Sequence, residues 1–195
     1  PGGFSTDPYE SIGSQVYLIV TKFKAVPEEK YLKGVRIARS QVSIKEPWLA
    51  QIKCCNYIHN VLMKKEAIDK GLDFVVSFDT EGFLGEGSTE NIAVVSQDNE
   101  LLFPCFTKTL QGTTLSRLRI LAQKLLDDGL ITKIKEGNVS IKQMNRAKEM
   151  MMVGTTLDAL PVTIFADEPV GSGLVGPVVK ACRSMLQYDI SAELS

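Results

Sequence analysis

Four short segments of this 195-residue chain hold residues whose types suit chemistry. In QIKCCNYIHN, Lys53 sits where a polar stretch meets a largely apolar one. Apolar surroundings strip water from an ammonium and disfavour its charge, leaving an amine that can attack a carbonyl. In GEGSTENIAVV, Glu86 stands between two glycines, where backbone can close on a ligand that a carboxylate faces. In QGTTLSRLRIL, Gly112, Thr113 and Thr114 precede a helical pattern. A helix start presents unpaired N–H groups and a positive partial charge, which suit phosphate. In VGTTLDALPV, Gly154, Thr155 and Thr156 offer a second set of hydroxyl and amide donors to an anion.

Each segment alone has an ordinary alternative: a surface lysine, a polar turn, a threonine helix cap, a plain turn. Together they supply an amine for an aldehyde, a carboxylate for a pyridinium nitrogen and two donor loops for a phosphate. Those are the partners that pyridoxal 5'-phosphate needs.

The bulk composition narrows the partners. Net charge is -1 with no block of lysines or arginines, so neither nucleic acid nor an anionic membrane is expected. Any bound anion must be held by a shaped site. Cys54, Cys55, Cys105 and Cys182 form no C-x-x-C, and a single histidine, His59, is too few for the usual zinc patterns, so no metal is expected. Reduced thiols fit a reducing compartment: the cytoplasm, or an organelle such as a plastid or mitochondrion. No apolar run reaches the ~18–20 residues that span a membrane. The opening PGGFSTDPYES has neither the basic start nor the apolar stretch of a signal peptide, and a first residue other than Met reads as truncation or processing.

The elements that must position these residues follow from periodicity. Strands are expected over 15–25, 34–44 and 74–79, with a polar turn between the first two. A helix is expected over 56–70, with Tyr57, Ile58, Val61, Leu62 and Ile68 on one face and Gly71 as the stop. Residues 80–105 read as a meander that includes strands at 92–96 and 100–104. A second helix runs from Thr113 or Thr114 to Gly129. Short strands follow near 131–137 and 139–143, then a short helix at 145–150, strand-like runs at 151–155 and 160–171, and a helix over 176–190. Meanders mixed with helices favour α+β over a doubly wound sheet. No GxGxxG or Walker A pattern follows a strand.

The wording of five segments resembles the class IV aminotransferases, a family of fold-type IV pyridoxal-phosphate enzymes. It includes D-amino-acid and branched-chain aminotransferases and aminodeoxychorismate lyases. IKCCNYIHNVLMKKEA resembles the family's K-x-x-N-x-x-x-x-V-L-x-K-x-E-A, and EGSTENI resembles E-G-x-x-x-N. LQGTTLSRL resembles L-x-G-I-T-R, with Thr113 in place of Ile and the arginine displaced to Arg117. GTTLDALPV resembles G-T-x-x-x-x-x-P-V, and GSGLVGP resembles G-x-G-x-x-G-P. The match runs over about residues 34–190. The short K-C-C-N-Y spacing leans toward the D-amino-acid and lyase branches.

The resemblance implies an α+β fold: the large C-terminal domain of the D-amino-acid aminotransferase-like fold, a barrel-like mixed sheet packed with helices. It implies that 34–195 is the cofactor-binding large domain. Residues 1–33 would be a linker and first strand that follow a small N-terminal domain absent here. That domain supplies the family's phosphate arginine, and Arg36 and Arg39 lie too late to replace it. Lys53 would bind the cofactor aldehyde covalently, then act as general base and acid. Glu86 would pair with the pyridine nitrogen. Gly112, Thr113, Thr114 and Thr155 would hold the phosphate, the Thr155–Thr156 amides would face the substrate carboxylate, Tyr57 would pack near the cofactor, and Asn91 would brace the loop that carries Glu86. The activity implied is transamination between an amino acid and a 2-oxo acid, by a homodimer. Two alternatives are aminodeoxychorismate lyase activity and a non-catalytic fragment.

Overall fold

The computed structural model describes residues 6–11, 13, 14 and 16–193. Two strands at the heart of the sheet explain the rest. β3 (Asn91–Val95) and β6 (Glu149–Gly154) are buried almost throughout. Alternate side chains leave a strand on opposite faces. Ile92, Val94, Met150 and Met152 therefore enter one apolar cluster, and Ala93, Val95, Met151 and Val153 enter a second. A strand buried on both faces reads as a continuous apolar run rather than an alternating one.

Around this pair the sheet runs β2-β1-β7-β6-β3-β4-β5, with β8 (Glu168–Pro169) on β7. The remaining strands are β1 (Val35–Arg39), β2 (Phe74–Val76), β4 (Glu100–Pro104), β5 (Lys133–Gly137) and β7 (Asp158–Phe165). β1 pairs parallel with both β2 and β7, and β4 pairs parallel with β5. The pairs β3–β4, β3–β6 and β6–β7 are antiparallel. Bridges Phe78–Leu84 and Phe83–Ser140 draw the two ends of the sheet together. This is the α+β, barrel-like mixed sheet expected.

Helices cover the second cluster. α4 (Thr113–Leu121) and α5 (Gln123–Asp127) bury Leu115, Leu118 and Leu125, and α7 (Pro177–Glu193) buries Val178, Val179, Cys182 and Leu186. No helix among the described residues is long and apolar enough to cross a membrane.

Several expected elements differ. The strand over 15–25 does not form among the described residues. Residues 16–25 run as exposed irregular chain, because β-favouring side chains make a strand only where a neighbouring edge accepts the backbone bonds. The turn before β1 holds a helix, α1 (Glu28–Lys33). Pro27 opens it, Glu28 and Glu29 suit its first turn, and Gly34 at φ +79 ends it. β1 stops at Arg39 rather than 44. The helix expected over 56–70 is α3 (Ile58–Asp69), but its buried face is Met63 and Ala67, while Ile58, Val61, Leu62 and Ile68 are exposed. The second helix breaks at Ala122 into α4 and α5. Residues 139–143 are not a strand. Ser140 accepts from Gln143 N–H while the Gln143 side chain accepts from Ser140 N–H at 2.9 Å, a capping box that starts α6 (Ile141–Asn145). The helix expected over 145–150 is instead the entry into β6.

One buried carboxylate ties helix to sheet. Glu149 accepts from Val178 N–H at 3.2 Å and Val179 N–H at 2.9 Å, placing a negative group on the first turn of α7. A Cβ on Gly176 would lie 2.1 Å from Glu149 Cδ, so the approach requires glycine. Glu149→Ala leaves two buried donors unmet and is expected to cost roughly 2–4 kcal/mol, read as a lower chemical-denaturation midpoint. Gly176→Ala should destabilise in the same assay, and the two losses should not add.

Candidate active site

A cleft of about 370 Å³ opens beside the sheet, within the range of small-molecule sites. Lys53, Tyr57, Glu86, Gly112, Thr113, Thr114 and Thr155 all line it, so the four segments converge on one cleft.

Lys53 lies in the irregular stretch between α2 (Pro47–Ala50) and α3. Its Nζ donates to the Tyr57 hydroxyl and lies 4.8 Å from the centre of that ring. Tyr57 is the N-cap residue of α3, so the helix start fixes the partner of the lysine. Lys53 is exposed in this chain.

Glu86 lies on the strand-like return after β2. Ser77 N–H donates to the Glu86 carbonyl at 2.9 Å, and Glu86 N–H donates to Ser77 Oγ at 3.2 Å. The carboxyl accepts from Leu110 N–H at 3.1 Å. Burial pushes it up to about 7, against the opposing pull of that N–H and of Lys45 and Lys53. The flanking glycines are required for space. A Cβ at Gly85 would lie 2.5 Å from Ile44 Cγ2, and one at Gly87 would lie 2.8 Å from Glu90 Oε2.

At the other end, Gly112 is the N-cap of α4, and no side chain caps that end. The first-turn N–H groups are therefore donors without a side-chain acceptor. Thr114 Oγ1 lies 3.3 Å from Thr155 Oγ1, which stands in the turn between β6 and β7. Two hydroxyls and a helix start thus flank one point of the cleft, as an oxyanion requires. Asn91 Nδ2 donates to the Leu110 carbonyl at 2.9 Å.

Two expectations meet a different arrangement. Thr156 follows Thr155 in the same turn, but it is exposed and does not line the cleft. Asn91 braces the loop before α4 rather than the loop that carries Glu86, and it reaches Glu86 only through Leu110. Arg117 does not enter the cleft; it pairs with Asp189 of α7, with Nε 2.7 Å from Oδ2. Sequence reasoning missed Lys45, Cys54, Asn60, Ser88 and Thr89, all of which line the cleft. Asn60 was within reach, since it lies three residues after Tyr57 on the same helix face. Lys45 carried no signal, because it arrives on an irregular loop.

A model of the family described as amino-transferase class IV matches residues 1–165. The chain belongs to the class IV aminotransferase family. It is 34% identical over 193 residues to the D-amino-acid transaminase, chloroplastic, of Arabidopsis thaliana, a match covering 97% of this chain and 50% of that one. It is 28% identical over 198 residues to the D-alanine aminotransferase of Bacillus licheniformis, covering 91% and 68%. Among solved structures, the branched-chain amino acid aminotransferase from Escherichia coli superposes with a TM-score of 0.71 at 28% identity, over 78% of this chain and 51% of that one. The chain thus spans about half the length of the Arabidopsis relative and of that structure. Members of this family are enzymes that use pyridoxal phosphate, and another branched-chain enzyme of the same fold is solved with pyridoxamine 5'-phosphate.

Glu86 gives a direct test of this geometry. Its folded value of about 7 lies above the 4.5 of an unperturbed glutamate, so between those limits the native state holds a proton that the unfolded chain has lost. Stability from this group is complete below pH 4.5 and is lost as pH rises through 7. The total loss is about 3 kcal/mol. Denaturation midpoints of the cofactor-free chain should fall over that window, and Glu86→Gln should flatten the fall.

Proposed function

We propose that this chain is the cofactor-binding half of a pyridoxal-phosphate transaminase that moves an amino group between an amino acid and a 2-oxo acid. The observation that carries this reading is the convergence of Lys53, Glu86 and the Thr114–Thr155 hydroxyl pair on one cleft. Residues 34–195 would form the cofactor domain, and 1–33 the lead-in to it. The Arabidopsis match, 34% over nearly the whole chain, supports a D-amino acid as substrate and a plastid as a compartment. A homodimer fits the same reading, since Ile58, Val61 and Leu62 on α3 leave an exposed apolar face.

The residues present fit the cofactor. A desolvated carboxyl at one end of the cleft suits a ring nitrogen that carries a proton, because an opposite charge restores the ionised carboxylate that burial disfavours. The uncapped start of α4, with Gly112, Thr113, Thr114 and Thr155, suits the phosphate. When bound, pyridoxal phosphate supplies an aldehyde that takes up the amino group and a ring that draws electrons from the substrate Cα.

The chain's own groups do the rest. Lys53 Nζ would hold the cofactor and would serve as the base and acid for the substrate Cα proton. The Tyr57 hydroxyl, beside Nζ, orients the lysine. Leu110 N–H holds one carboxyl oxygen of Glu86 and fixes its direction. The Thr155 turn stands beside the start of α4, where the Thr155 amide would meet a substrate carboxylate.

Mixing the chain with pyridoxal phosphate is expected to give a near-visible band of lysine-bound cofactor. Borohydride reduction followed by peptide mass spectrometry should place the adduct on Lys53. Lys53→Ala should lose both signals. A band of equal strength in Lys53→Ala, or an adduct on another lysine, would overturn the assignment. With D-alanine and a 2-oxo acid, the full-length protein should release pyruvate.

A further inference from the structure

Glu86 also lines a second, much smaller chamber. Its walls include Lys45, His59, Asn60, Ser77, Glu86 and Lys108. Lys45, Asn60 and Glu86 line both spaces, so the two are neighbours that share Glu86. The chamber measures about 10 Å³, close to what a single water-sized sphere fills.

Two polar atoms of its walls have no partner among the described residues. His59 Nδ1 and Asn60 Oδ1 are both buried and unbonded. The Asn60 amide has a fixed direction, because its Nδ2 donates to the Ser88 carbonyl. That bond leaves Oδ1 as an acceptor with nothing to accept. A buried polar atom left unpaired costs free energy, and native structures meet such atoms with protein or ordered water. The Glu86 carboxyl accepts from Leu110 N–H and has room for a further donor. A buried water typically joins two to four polar groups, and this chamber offers three.

We propose that one water molecule, held by His59 Nδ1 and Asn60 Oδ1 in this chamber, joins His59 to the Glu86 carboxyl and makes His59 a positioning residue for Glu86. The water donates to Asn60 Oδ1 and to the carboxylate, and accepts from His59 Nδ1–H. When Glu86 holds a proton, its O–H donates to the water instead. The importance of the link rests on the role proposed above for Glu86, but its existence does not require the cofactor. The charges facing Glu86 from the surrounding elements are Lys45, Lys53 and Glu90, with Lys108 on the far wall of the chamber. All four are unchanged by substitution at His59, and the His59→Gln comparison separates the water link from loss of the imidazole itself.

The test is the titration of Glu86 in the cofactor-free chain. Glutamate labelled with carbon-13 at the side-chain carboxyl, and assigned through Glu86→Gln, reports the midpoint by NMR. His59→Ala should change the proton affinity of Glu86 by at least about threefold, equivalent to about half a pH unit. His59→Gln, whose amide can still meet a water, should restore most of the wild-type midpoint. A crystal structure of the wild-type chain should show ordered water density between His59 and Glu86. An unmoved midpoint in folded His59→Ala, a His59→Gln midpoint no nearer the wild type than that of His59→Ala, or a chamber without water density would each overturn the proposal. If His59→Ala does not fold, His59→Gln and the density decide. Failure here leaves the Lys53 adduct untouched, and failure of the adduct leaves this titration untouched, so the two readings fall separately.

Discussion

The backbone of one residue, Leu110, ties the candidate site together. Leu110 donates its N–H to the Glu86 carboxyl, and its carbonyl accepts from Asn91 Nδ2. Glu86 belongs to the return after β2, Asn91 opens β3, and Leu110 precedes α4. The 86–91 segment and the loop before α4, about twenty residues further along, are thereby fixed together through one residue. The same contact dictates Gly112, because a Cβ there would lie 2.0 Å from Asn91 Oδ1. The glycine at the start of α4 is thus a consequence of how the carboxyl is held, and it also leaves that helix start free of a side-chain cap. One end of the cleft fixes the chemistry available at the other.

The sheet makes that arrangement rigid. β3 and β6 pair over five residues, from Asn91–Val153 to Val95–Glu149. At one end of this ladder stand Asn91 and the Gly154–Thr155 turn, both of which line the cleft. At the other end stands Glu149, which anchors α7. A double-sided apolar core between them allows little shear, since packed interiors tolerate few voids. The cleft residues sit on connecting loops, at the ends of strands and at helix starts, rather than in the middle of any element.

The chemistry of the site is more legible in the sequence than the path of the chain. Lys53, Glu86 and the threonine loops are identifiable because their residue types are scarce in such settings and their order matches the family. The 15–25 run misleads because β-propensity records how a side chain fits a sheet, not whether an edge is available. Residues 139–143 mislead for a related reason: VSI favours strand locally, but the S-x-x-Q spacing from Ser140 to Gln143 writes a helix start. α1 is equally marked by Pro27, two glutamates and Gly34, and its brevity hides the pattern. The apolar stripe of α3 is real as a pattern, but it lies on the exposed side, and periodicity alone cannot say which side a core will take. Lys45 cannot be foreseen, since a loop lysine is placed by tertiary structure alone.

Charge within the cleft explains why a weakly acidic chain can hold an anion. The charged residues that line it are Lys45, Lys53, Glu86 and Glu90. With both glutamates ionised, they balance. Burial lifts Glu86 to about 7, which favours its neutral form relative to an exposed glutamate and shifts the balance of the cleft toward positive charge. An arriving anion therefore meets attraction without any excess of basic residues over the whole surface. A cationic ring nitrogen placed beside Glu86 would favour the ionised carboxylate, because an opposite charge offsets the burial that raises its pKa. A single buried carboxyl can thus accommodate the negative and the positive end of one ligand. A glutamate left in open solvent, fully ionised near neutrality, could do only the second.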